Sequence, residues 1–232
     1  MGRRTEDFRG LTQPSRMRLL AEIQDEPGLL LRELASRTGL HENTVRDHLL
    51  VLEAEGLVTR RPVRTGTRGR PPETYHPVRE AAANPAAADR VARAARHGEL
   101  LRRMRGEAPA IADRATRHQL DTLVEHLDDA GLEPLVDEAA LGIELVPCPH
   151  YTLIEDEEEL VCRVHERLIR DTLSQVPGPL RLELLEPRTS ADRCRVHLGR
   201  EGAAECRAVP AGSGPPDSSR PRRVAEHARD DE

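Results

Sequence analysis

Aromatic side chains are almost missing from this chain: one Phe, two Tyr and no Trp in 232 residues. Rings ordinarily fill core volume in large pieces. Without them a core has to be assembled from Leu, Val, Ile and Ala, which calls for amphipathic helices and covered sheets rather than a few bulky anchors. The same scarcity removes the stacking platforms on which single-stranded nucleic acids are held. Charged residues reach 33% and mean hydropathy is -0.61, polar for a globular protein but still compatible with a core. No stretch approaches the 18 or more apolar residues of a membrane span. The opening MGRRTEDFRG lacks the apolar run of a secretory signal. A cytoplasmic, reducing location is the expectation, with the four cysteines as thiols or metal ligands rather than disulfides.

Every one of the 35 basic residues is Arg. Residues 1–80 carry 14 Arg against 12 Asp and Glu, a net +2, and residues 81–232 carry 21 against 29, a net -8. Only the front of the chain is therefore expected to meet a polyanion.

Apolar periodicity organises that front. Met17, Leu19, Leu20 and Ile23 mark a helix over 15–26, stopped by Pro27-Gly28. Leu31, Leu34 and Ala35 mark a second over 30–38, with Gly39 where a left-handed residue ends a helix. Val45, Leu49 and Leu52 mark a third over 41–55, closed by Gly56. Two helices joined by a short glycine-bearing turn form a helix-turn-helix. Short strands at 57–59 and 73–76 then flank residues 64–72, too rich in Gly and Pro for a regular element, which makes a hairpin wing with a basic tip. Residues 14–80 thus read as a winged helix-turn-helix domain after a disordered 1–13. Asn84-Pro85 starts a helix to about 105, and Pro109 starts another to about 131. Together these form a helical linker over 81–131, with Val91, Ala94, Ala95 and Leu101 as a dimerisation face. Strands at 133–137 and 143–146, a helix over 156–175, and strands at 180–185 and 194–198 give a small ββαββ domain over 132–207. The Pro/Gly/Ser-rich 208–232 is expected to be disordered. The fold class is α+β.

The third helix would enter a major groove N-terminal end first. His41, Asn43, Thr44, Arg46 and His48 are its reading candidates, with Arg46 suited to guanine and Asn43 to adenine. Arg60, Arg64, Arg68 and Arg70 of the wing, with Arg61 beside them, suit phosphates or a narrow minor groove. A solvated helix face and a solubilising loop are the bland readings of these features taken singly; their order and spacing favour DNA.

The runs SRMRLLAEI, LRELASRTGL, ENTVRDHLLVLEAEGLV and GRPPETY resemble bacterial winged-helix regulators of the ArsR/MarR-like group. In the rear half, LDDAGLEPLVDE, CPHYTLIEDEEELVC and RCRVHL resemble the sensing domain of the iron–sulfur cluster assembly repressor type. The resemblance implies a homodimeric transcription factor, a repressor, on an inverted repeat of double-stranded operator DNA. It also implies an iron–sulfur cluster held by Cys148, Cys162 and Cys194, in a rear domain that senses iron–sulfur, redox or metal status; the residues leave the fourth ligand open among Cys206, His165, His150 and an exogenous thiol.

The residues themselves leave the cysteines open. They contain no CxxC, so zinc-ribbon and thioredoxin signatures are out. Cys162 and His165 share a helix face, whereas Cys194 and His197 fall on opposite faces of a strand. The bland alternative is that Cys162, set in an apolar stripe, is a small core hydrophobe. The acidic run 155–159 reads as favourable charge at a helix start. No P-loop, GxGxxG, GxSxG or HExxH is present, so no enzyme is expected. Two other readings remain: a regulator whose rear pocket takes an organic effector while the cysteines are structural, and a winged helix that docks proteins instead of DNA.

Overall fold

The computed structural model describes Leu11 and residues 13–63, 71–106, 110–146, 151–190 and 193–201. The wing tip with Arg64, Arg68 and Arg70, together with Cys148, His150, Cys206 and the tail from 202, lies outside the described residues. Among them are six α-helices and two antiparallel sheets, and the chain up to Glu201 forms one compact unit.

The winged domain is built as its periodicity requires. α1 (Pro14–Asp25) buries Met17, Leu19, Leu20 and Ile23. α2 (Leu31–Thr38) buries Leu34, and α3 (Glu42–Ala54) buries Val45, Leu49 and Leu52. Each fully buried aliphatic chain of this size contributes about 1.5–3 kcal/mol relative to exposure. The expected start of the second helix at residue 30 is off by one residue for a structural reason. Leu29–Leu30 form a two-residue strand, β1, paired with Tyr75 and Thr74. The Leu30 amide donates to Glu33 Oε2 at 2.8 Å as α2 begins. Strands β2 (Val58–Pro62) and β3 (Glu73–Pro77) complete a sheet in the order β1-β3-β2. Leu11 is also fully buried in the core, so the loose stretch expected over 1–13 does not extend through it: its apolar side chain packs under the helices.

Two glycines fix the path of the recognition segment. Gly39 ends α2 at φ 68° and Gly56 follows α3 at φ 72°, left-handed values costly for other residues. Their surroundings differ. A Cβ at Gly39 would meet nothing within 4 Å, whereas one at Gly56 would stand 2.8 Å from the Ala87 amide nitrogen.

α4 (Pro85–Arg105) starts as expected, with Asn84 as N-cap accepting from the Ala86 and Ala87 amides. α5 (Arg114–Asp129) starts five residues later than Pro109 would place it. Asp113 caps it, accepting from the Thr116 amide at 2.8 Å and the Thr116 hydroxyl, and this cap outweighs the proline. After β4 (Glu133–Asp137) and β5 (Gly142–Val146) comes α6 (Tyr151–Ser174), then β6 (Leu180–Ser190) and β7 (Arg193–Arg200). The sheet order is β4-β5-β7-β6. α6 begins five residues ahead of the expected 156, so the acidic run 155–159 sits inside the helix and its first turn carries no acid. The dipole argument for that run therefore does not apply.

One apolar cluster spans front and rear, running from Leu20 and Val58 through Leu123 to Ile169 and Val196. α6 packs on α1. Arg167 pairs with Asp25, Arg79 Nε donates to Asp171 Oδ1 at 2.8 Å, and Gln175 Nε2 donates to the Val78 carbonyl at 3.0 Å. Burial pushes the Asp171 carboxyl up, against the pull of Arg79.

Gly56→Ala should lower unfolding free energy by about 2 kcal/mol or more, since left-handed strain and a backbone clash add. Gly39→Ala carries the conformational cost alone, about 1 kcal/mol. Denaturant titration of both variants checks the ordering; equal effects would show that the Ala87 contact is slack.

Candidate nucleic-acid interface

His41 caps the recognition helix, its Nδ1 accepting from the Asn43 amide at 3.2 Å. His41, Glu42, Asn43, Thr44, Arg46 and Asp47 are all exposed, so the N-terminal turns of α3 present a polar face to solvent, with the positive end of the helix dipole behind it. Arg46 Nη1 donates to Asn43 Oδ1 at 2.7 Å. The two side chains expected to read guanine and adenine thus hold each other. The bond restricts both side chains to the rotamers that keep it.

His48 is a correction. It is only 8% exposed. Its Nε2 lies 3.0 Å from Ser15 Oγ, and Arg16 Nε donates to its Nδ1 at 3.5 Å. It therefore faces α1, not the groove. The signal is in the spacing: 45, 48, 49 and 52 form one helical stripe. Burial, then the Arg16 charge, holds its imidazole below the ordinary range.

Arg60 lies at the base of the wing. It is half-exposed on β2, with Nε 3.0 Å from Glu53 Oε1 of α3 and Nη1 3.6 Å from Glu73 Oε2 of β3. It ties the base of the wing to α3 while its side chain stays 43% exposed. Arg61, the next residue along β2, is exposed.

Between α3 and the wing base lies an open cleft of about 590 Å³. Arg32, Arg46 and Arg60 line it, balanced by Glu42, Glu53 and Glu73. Arg32, in the first turn of α2, is a cation that sequence reasoning did not single out. Its helical position alone gives no signal, because only the tertiary fold turns α2 toward that cleft.

The rear of the recognition helix is gripped by α4. Asn84 Nδ2 donates to the Glu53 carbonyl at 2.7 Å and the Val58 carbonyl at 3.1 Å. Arg90 Nη2 donates to the Glu55 carbonyl at 2.6 Å. Arg90 is buried and pairs with Asp129 of α5. Arg93 continues the seam to Glu125 and Asp129, His97 adds a bond to Glu125 at 2.9 Å, and Arg102 takes Asp121 with both nitrogens. Burial alone would raise the Glu125 carboxyl; Arg93 and His97 outweigh it and hold it below the usual range. In the linker face expected to dimerise, Ala94 is buried within the protomer, while Ala95 and Leu101 are exposed.

Of the expected metal ligands, Cys162 lies on α6 and Cys194 on β7, the latter packed against the apolar cluster. Both are thiols. His165 lies on α6 close to His126 of α5. Among the described residues no group of three His, Cys, Asp or Glu side chains is arranged to hold a metal ion, and Cys148 and Cys206 lie outside them. The described residues therefore do not assemble a cluster site.

Compared with known proteins, residues 13–59 match the family described as winged helix-turn-helix DNA-binding. No curated protein and no solved structure matches the chain. The matched segment covers α1, α2, α3 and the first residues of β2, the elements that build the face just described. No helix among the described residues is long and apolar enough to cross a membrane.

Two buried imidazoles set a pH dependence. Burial, then Arg90 and His165, holds His126 well below its ordinary value, as burial and Arg16 do for His48. The unfolded chain takes up these protons near the unperturbed value of about 6.5; the folded chain takes them up only at lower pH. Stability is therefore full above about 6.5 and falls as pH drops below it. Thermal melts between pH 7.5 and 5 should show this loss, and His126→Gln should flatten it. A constant melting temperature across that window would show that neither imidazole is protected.

Proposed function

We propose that this chain is a DNA-binding transcriptional regulator, a cytoplasmic repressor that acts as a homodimer on an inverted repeat. The observation that carries the reading is the exposed face of α3, with Asn43, Thr44 and Arg46 at its open end, set beside an arginine-bearing wing. The match over residues 13–59 supports it independently. One α3 reads one half-site; a dimer supplies the second and doubles the phosphate contacts. In the bound state Arg46 and Asn43 exchange their mutual hydrogen bond for base edges, and Arg64, Arg68 and Arg70 supply wing contacts to the backbone or minor groove. Occupying an operator in this way blocks transcription without further chemistry, and no catalytic role is assigned.

The rear part is the proposed receiver of the signal. Support comes from its packing: α6 rests on α1, and α4 holds the carbonyls that end α3. A ligand alters DNA affinity only through its different affinity for the competent and incompetent arrangements. The iron–sulfur cluster implied by resemblance rests on that resemblance alone, and no regulatory step is derived through it.

A preferred duplex is first selected from a random pool with the full chain, and anisotropy is then followed as salt is raised. Affinity should fall steeply with a linear log–log slope. Arg46→Ala should cost about 1–3 kcal/mol and relax preference at one base position. Neutralising Arg64, Arg68 and Arg70 should instead reduce the salt slope by about one for each phosphate that the wing ceases to neutralise. Unchanged affinity in Arg46→Ala, or a flat salt response, would overturn DNA reading in favour of a protein-docking winged helix.

A further inference from the structure

We propose that the cleft between α4, α5 and β4 binds an organic cation with an apolar body, and that this is the effector site of the regulator; the second half of the statement rests on the reading above. The cleft has a volume of about 480 Å³, within the usual range of small-molecule sites. Its apolar lining comes from Ala94, Leu100, Leu101, Val124 and Pro134. Leu100 and Leu101 are 54% and 52% exposed, and covering them is favourable for any apolar ligand.

The polar lining selects the charge. Asp121, Glu125, Asp128 and Glu133 line the cleft, and among the described residues no arginine does, in a chain with 35 of them. Arg102 and Arg93 reach Asp121 and Glu125 from outside the cleft, and among the described lining side chains His97 alone can carry positive charge. Asp121 and Glu125 are already met by Arg102 and by Arg93 and His97, so the preference for a cation over an anion of equal size comes chiefly from the exposed Glu133.

The cleft is wired to the recognition helix. α4 lines it with Ala94, Gly98 and Leu101, and the same helix holds the Glu53 and Glu55 carbonyls through Asn84 and Arg90. At the cleft the Asp121 side chain of α5 lies over Gly98 of α4: a Cβ there would stand 2.1 Å from Asp121 Oδ2. A ligand seated there touches both α4 and α5, and one that fits a shifted α4 better than the present one would carry that shift to the end of α3.

Tetraphenylphosphonium tests the site, with tetraphenylborate as the anion of the same shape. In isothermal titration with the full chain, the cation should bind saturably and the borate should not. Leu101→Arg, at an exposed position, should weaken the cation roughly tenfold or more, through reduced apolar cover and added like charge. Glu133→Gln should weaken it by a smaller factor, with unchanged melting curves for both variants. Equal binding of both ions, or cation affinity unmoved by Leu101→Arg, would overturn the site. So would sedimentation showing that a second copy covers the cleft, with Leu101→Arg dissociating a dimer that never takes the cation. This arm involves no DNA and survives failure of the DNA reading. In anisotropy on the selected duplex, saturating cation should change affinity at least severalfold in the parent chain and not in Leu101→Arg; no change in a chain that binds the cation would overturn the effector role.

Discussion

The carbonyls that end the recognition helix are the joint on which the molecule turns. A helix leaves its last C=O groups without intrahelical partners, and here three hydrogen bonds from the start of α4 take up carbonyls at that end and at the start of β2: two from the Asn84 amide and one from the buried Arg90 guanidinium. Asn84 uses its side-chain oxygen to cap α4. One residue therefore terminates one element and begins another, so α4 cannot tilt without disturbing the end of α3. Arg90 is costly to bury, and burial lowers its affinity for the proton even with Asp129 beside it. Removing either partner would leave a buried charge exposed to the full desolvation penalty. Such a contact contributes positional definition more than net stability.

Arginine as the sole basic residue suits this construction. The α4–α5 seam is a ladder of guanidinium–carboxylate bonds at several levels, from Arg90–Asp129 to Arg102–Asp121. The guanidinium fork gives each rung a fixed direction that an ammonium would not. With aromatic anchors nearly absent, the two helices are aligned by polar geometry, while the aliphatic cluster beneath supplies the driving force. Front and rear share that cluster, to which Ile111, Leu120, Leu123 and Leu127 of the stretch between them contribute.

The features legible in the sequence follow from period and punctuation. The stripes of α1, α2, α3 and α6, the Asn84-Pro85 start and the strand pairs all show in spacing, because helical and strand periods are local properties. The features that spacing hides depend on partners distant in the chain. β1 is two residues within a leucine run, and only its pairing with β3 makes it a strand. His48 reads as a groove-facing residue when its type is weighed above its place on the stripe. Only folding brings Glu53 and Glu73 to Arg60. The α4–α5–β4 cleft involves residues 94–134, whose lining character emerges only when three elements meet. Local competition explains a displaced helix start: the Asp113 cap with Thr116 is a signal present in the sequence, and it prevails over Pro109.

The nearly balanced charge of the α3–wing cleft changes how DNA recognition works there. A cleft lined only by arginines would hold any duplex through its phosphates. Here Glu42, Glu53 and Glu73 face Arg32, Arg46 and Arg60, so the cleft by itself has little attraction for a polyanion. Arg46 is already satisfied by Asn43, and Arg60 by two carboxylates. On the proposed reading, a sequence that gives Arg46 and Asn43 better partners than each other would make the exchange favourable, whereas a sequence that does not would leave the internal bonds the stronger choice. Partner exchange lowers affinity for every duplex but lowers it most for the wrong ones, because an unmatched base edge leaves a polar group unpaired at the interface. On that reading non-specific attraction is left to the wing, whose arginines lie in a sequence stretch without acids, and discrimination to the helix, where Arg46 begins with Asn43 as its partner.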